Sequence, residues 1–250
     1  MDYELSRLQR LASTGDPDAA SKLLSMRIRA GLNPYYVKQA AALGDPTALL
    51  LFSPAPPTNV YCNYDAGSLG FNDVDGVLGG IYNNEDLISI AVAFVRHSLN
   101  DAARIAHGQS PPLPFRVELI ENLLELGERW VVSYRKHLEE TAYSLRYTGH
   151  GEFFTRYQAY KATQECTQEL KNNVQDLLVV LRDLTLTGPE SDIRWAAFHI
   201  GRMAVEQYKT QLDAVWVSEY CRRAAGNGSE VYQRQELEWQ RQFLIRWLLQ

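Results

Sequence analysis

The stretch Leu11-Ala12-Ser13-Thr14-Gly15-Asp16-Pro17-Asp18-Ala19-Ala20 returns, partly altered, as Ala40-Ala41-Ala42-Leu43-Gly44-Asp45-Pro46-Thr47-Ala48-Leu49. The two Gly-Asp-Pro triplets lie 29 residues apart. Each reads as a tight corner between helices. Glycine tolerates the left-handed conformation that closes one helix. Aspartate caps the next by accepting a backbone N–H bond. Proline suits the first helical position, where the N–H it lacks is not needed. Gly31-Leu32-Asn33-Pro34 makes a further break, so Ala19, Leu23 and Met26 belong to one helix and Tyr35 to Leu43 to the next. Paired short helices with a period of about 30 residues mark a helical-hairpin repeat, and two copies are fewer than such repeats need to stand alone. Residues 1–52 are therefore expected to pack on the rest of the chain.

Beyond the second corner the composition changes. Ser53-Pro54-Ala55-Pro56-Pro57 is incompatible with helix, because successive prolines remove donors and fix φ. Gly67, Gly70, Gly76, Gly79 and Gly80 follow, with five asparagines among them. Residues 53–84 read as a loop, and Tyr61, Tyr64, Phe71 and Tyr82 argue that it is packed or partner-contacting rather than a solvated tether. From residue 85 to 250 the sequence reads as helix with short breaks. Val117, Ile120, Leu124, Val131, Tyr134, Leu138, Ala142 and Leu145 form one apolar stripe, a long amphipathic helix with a kink expected near Gly127. A second helix carries Phe153 through Leu184. A third carries Ile193, Ala197, Ile200, Ala204, Tyr208, Leu212 and Val215 and ends near Gly226. A last one runs from Ser229 through Trp239, Phe243 and Trp247. Short connections favour antiparallel neighbours. The expected fold is all-α: a short N-terminal helical-hairpin repeat region packed on a C-terminal up-down bundle of four to five long helices.

Composition narrows the classes of function. With 250 residues, 46% hydrophobic and 22% charged, the chain is neither disordered nor collagen-like. A formal charge of −5 argues against nucleic acid as a partner, since strong binders carry a basic surplus. Cys62, Cys166 and Cys221 are too few and too scattered for a disulfide framework, and no Cys-x-x-Cys pair is present. No apolar run reaches the roughly 18 residues of a membrane span, and Met1-Asp2-Tyr3-Glu4-Leu5 does not open a signal peptide. The expected location is the cytoplasm.

The motifs of common chemistries are missing. Residues 94, 104, 134, 147 and 196, three before each histidine, are Phe, Arg, Tyr, Tyr and Ala. There is thus no Glu-x-x-His for a bundle metal site, and no Gly-x-Ser-x-Gly nucleophile elbow. Asp73-Val74-Asp75-Gly76 faintly suggests a calcium loop, but that frame puts Phe71 and Tyr82 where carboxylate ligands are needed. No metal or cofactor is expected. Glu118, Glu121, Glu125 and Glu128 form an acidic stripe, either a solvated face aided by a Glu125–Arg129 pair or a docking ridge for a basic partner. Trp195, His199 and Arg202 share one helical face and could hold an anion or a stacked ligand.

The corners at Leu11–Ala20 and Ala41–Ala48 resemble alanine-rich helical-hairpin arrays of the Sel1-like or TPR-like kind. They also resemble uncharacterised bacterial proteins of the myxobacterial and planctomycete kind. Asp192-Ile193-Arg194-Trp195-Ala196-Ala197 and Glu236-Leu237-Glu238-Trp239-Gln240 are similar to the all-helical immunity-like domain of bacterial polymorphic toxin systems. That resemblance implies a helical protein that binds a toxin or effector, and it brings no catalytic residues. The expected function is a non-enzymatic, cytoplasmic protein–protein interaction module of immunity-like type. One alternative is a helical enzyme or small-ligand binder, with a site of Asp73, Asp75, Trp195, His199 and Arg202 where the 53–84 loop meets the bundle. Another is a homo-oligomeric structural protein.

Overall fold

A computed structural model describes residues 2–52, 73–107, 117–144, 150–181, 188–206, 210–226 and 229–250. Over these residues the protein is all-α, with eleven helices and no strand. Packing divides it into two compact units: one drawn from residues 1–80 and 238–250, the other from residues 81–237.

The first unit holds α1 (Asp2–Ser13), α2 (Pro17–Arg29), α3 (Pro34–Ala42), α4 (Pro46–Leu51) and α5 (Asp73–Leu78), together with the end of α11 (Glu230–Leu248). Its corners have the expected chemistry. Gly15 and Gly44 take φ of +90° and +88°. The next N–H, of Asp16 or Asp45, then donates to the carbonyl of Leu11 or Ala40 at 3.1 and 3.0 Å. The Asp16 carboxylate accepts from the N–H groups of Asp18 and Ala19, and that of Asp45 from Ala48 at 2.7 Å. The break between them repeats the design with other letters. Gly31 has φ +116°, and the Asn33 side chain accepts from Tyr35 N–H at 2.9 Å. Helices α1 and α2 pair, α3 and α4 pair, and α2 packs on α4. Ala19, Ala40, Ala41 and Ala48 are buried there, small enough to bring helices close. The end of α11 adds the neighbour that two hairpins lack. The rings of Trp247 and Tyr36 lie 5.7 Å apart, and Arg27 donates to the Leu249 carbonyl at 2.8 Å.

One expectation needs correction here. The loop read over 53–84 does not persist through its second half, because residues 73–78 are α5. Val74, Val77 and Leu78 are buried on one face of this short helix, and that apolar triplet outweighs the surrounding glycines. Residues 53–72 lie outside the described residues.

The second unit holds α6 (Asn84–His107), α7 (Val117–Ser144), α8 (His150–Leu181), α9 (Pro189–Glu206), α10 (Thr210–Gly226) and the start of α11. Helices α6, α7 and α8 run up and down. Arg135 near the end of α7 pairs with Asp86 at the start of α6, and Glu128 with Arg96 further along. Across α7 and α8, Arg129 meets Glu169 at 3.1 Å, and the Trp130 indole N–H donates to Thr167 Oγ1 at 3.1 Å. Of the α7 stripe, Ile120, Leu124 and Val131 are buried, while Leu138 is exposed; the side chains of Ala142 and Leu145 fall outside the described residues. Gly127 lies within a continuous α7. A Cβ there would stand 3.4 Å from methyl groups of both Ile200 and Val92, so this glycine serves close packing of α6, α7 and α9.

The third long helix of the sequence reading is two helices. Chain over Ile193 to Gly226 is split into α9 and α10, which pack on each other. Trp195 meets Tyr220, and Arg202 meets Asp213, so the pair is an antiparallel hairpin. The expected four to five bundle helices thus become six. No glycine or proline lies between Arg202 and Asp213, so no local breaker in the sequence announces that these are two helices.

Candidate functional site

The α9–α10 hairpin carries the densest set of chemistry-bearing side chains. On α9, Asp192, Trp195, His199 and Arg202 follow at steps of 3, 4 and 3 residues. On α10, Asp213, Trp216, Tyr220 and Arg223 follow at the same steps. Such steps keep residues on one helical face. The two stripes are one motif, Asp-x2-Trp-x3-(His or Tyr)-x2-Arg, repeated 21 residues later. Folding into an antiparallel hairpin pairs them head to tail about a local pseudo-twofold axis. Arg202 binds Asp213, and Arg223 binds Asp192. Between these ends, Trp195 stacks on Tyr220 with ring planes 17° apart, and His199 stacks on Trp216 at 12°. His199 and Tyr220 close the middle, with centroids 5.7 Å apart.

The two ends differ. Asp213 is fully buried and doubly served. His199 Nδ1 lies 2.8 Å from its Oδ1, Arg202 Nε donates to its Oδ2 at 3.0 Å, and an Arg202 terminal nitrogen makes a second bond to Oδ1. A carboxylate only accepts, so Nδ1 carries the proton in that bond. No hydrogen bond reaches His199 Nε2 among the described residues. Asp192 is also largely buried, its side chain 12% exposed, and it pairs with Arg223 at 3.2 Å, which is 51% exposed. Tyr220 occupies the position that His199 holds in the other half, and it gives Asp192 no hydrogen bond. Burial, opposed by Arg223 and reinforced by Glu219, raises the Asp192 carboxyl from 3.8 to about 6. Burial likewise pushes the Tyr220 phenol up, with Asp192 and Glu219 adding to it against Arg223. The Arg223 guanidinium lies over the Tyr220 ring, 5.4 Å from its centroid.

A second polar group sits between α6, α10 and α11. Glu236 is 1% exposed; it accepts from Ser98 Oγ at 3.0 Å and meets His97 Nδ1 at 2.8 Å. Arg222 donates to Ser218 Oγ and to Glu219. Burial, with Glu236 nearby, pushes the Cys221 thiol well up, which makes it a poor nucleophile. These groups satisfy one another, as buried polar atoms must.

The structure brings Trp195, His199 and Arg202 together, as their spacing suggests. Asp73 and Asp75 belong to the other unit. Asp73 accepts from Arg241 at 2.9 and 3.1 Å, and Asp75 is buried on α5. Glu118, Glu121, Glu125 and Glu128 are all exposed along α7. Glu128 binds Arg96, and Arg129 turns to Glu169. Sequence reasoning missed Asp192, Asp213, Trp216, Tyr220 and Arg223 as site residues. Their signal was present as the repeated motif, obscured by its degenerate third letter. Among the described residues, no three His, Cys, Asp or Glu side chains converge to hold a metal ion, and no helix is long and apolar enough to cross a membrane. No known protein family, curated protein or solved structure matches the chain.

Proposed function

We propose that this chain is a non-enzymatic, cytoplasmic protein–protein interaction module and that the α9–α10 hairpin is its docking face. The reading is carried by one observation: half-buried Trp195, Trp216 and Tyr220 lie in a stacked row, flanked by Arg202 and exposed Arg223. Trp, Tyr and Arg are the side chains that dominate binding energy at protein interfaces. Rings held by one another, with His199 fixed on Asp213, lose little freedom on docking. The exposed acidic ridge of Glu118, Glu121, Glu125 and Glu128 supports a basic partner by steering its approach. A toxin or effector neutralised by this chain is the partner that the immunity-like resemblance implies.

The test is capture from the native organism's lysate with the tagged full chain, alongside Trp216→Ala and Arg223→Ala. Circular dichroism verifies that the variants fold. One stoichiometric protein should be retained by the wild type and fall about tenfold or more with Trp216→Ala, the scale of a hot-spot truncation. Equal capture by all three would reject the hairpin as the docking face. A second reading, a small-ligand binder, is favoured by the open Nε2 of His199 among the rings. It would be supported by a retained small molecule without a protein. Self-association in light scattering would instead favour the homo-oligomeric reading.

A further inference from the structure

We draw no further inference here: the strongest candidate, the largely buried side-chain cluster of His97, Ser98, Cys221 and Glu236 between α6, α10 and α11, is closed by hydrogen bonds among its own members, and nothing in the structure points to a ligand there.

Discussion

Asp192→Asn should stabilise the protein near neutral pH, and the gain should shrink as the solution is acidified. The wild-type side chain is 12% exposed, and its counter-charge, Arg223, is 51% exposed and therefore screened. Desolvation is the largest influence on the carboxyl. Arg223 opposes it and Glu219 adds to it, with the result that it titrates at about 6 instead of 3.8. A carboxyl raised in the folded state contributes stability that is complete below 3.8 and lost as pH rises through about 6. At about 1.4 kcal/mol per pH unit, the full swing is about 3 kcal/mol. The accessible part, between about pH 4.5 and about pH 7.5, is about 2 kcal/mol. Asparagine keeps the shape and carries no charge, so the variant lacks this dependence. Urea unfolding of both proteins at the two pH values measures the difference, and a 13C titration of the Asp192 carboxyl gives the midpoint directly. A variant-minus-wild-type difference that holds within about 0.5 kcal/mol across that range would refute the reasoning. So would a midpoint near 4, because burial would then not govern this group.

Three further changes probe the packing. Gly201→Ala places a methyl group on the Val174 side chain, with Leu123 Cδ1 3.6 Å away. It should cost about 1–3 kcal/mol in urea melts, and Val174→Ala in the same chain should return part of that, giving a coupling of about 1 kcal/mol in a double-mutant cycle. Gly44→Ala meets no atom within 4 Å but must hold φ +88°, so its loss of about 1–2 kcal/mol should come from backbone strain alone; a neutral result by the same melts would contradict the corner's reading. Asp213→Ala leaves His199 and Arg202 without their shared carboxylate and should cost about 3–5 kcal/mol, measured as a lowered thermal midpoint by circular dichroism.

The N-terminal corners were legible because their determinants are local. Gly15, Asp16 and Pro17 each act on neighbours within four residues, through a positive φ, a cap and a missing N–H. The α7 stripe was legible for the same reason, since a helix period is written along the chain. Even the repeated Asp-Trp-(His or Tyr)-Arg motif stands in the sequence at a fixed step. By itself, then, the sequence determined the helices, their corners and the faces they would bury. The tertiary structure alone decided that Arg202 and Asp213, eleven residues apart, would meet across a hairpin rather than lie along one helix. The sequence from Arg202 to Asp213 holds no glycine or proline, and the antiparallel packing of α9 and α10 brings together a buried carboxylate with the imidazole and guanidinium that satisfy it, and two rows of rings that stack. A buried charge is affordable only when its partners arrive with it, and here those partners come from both helices.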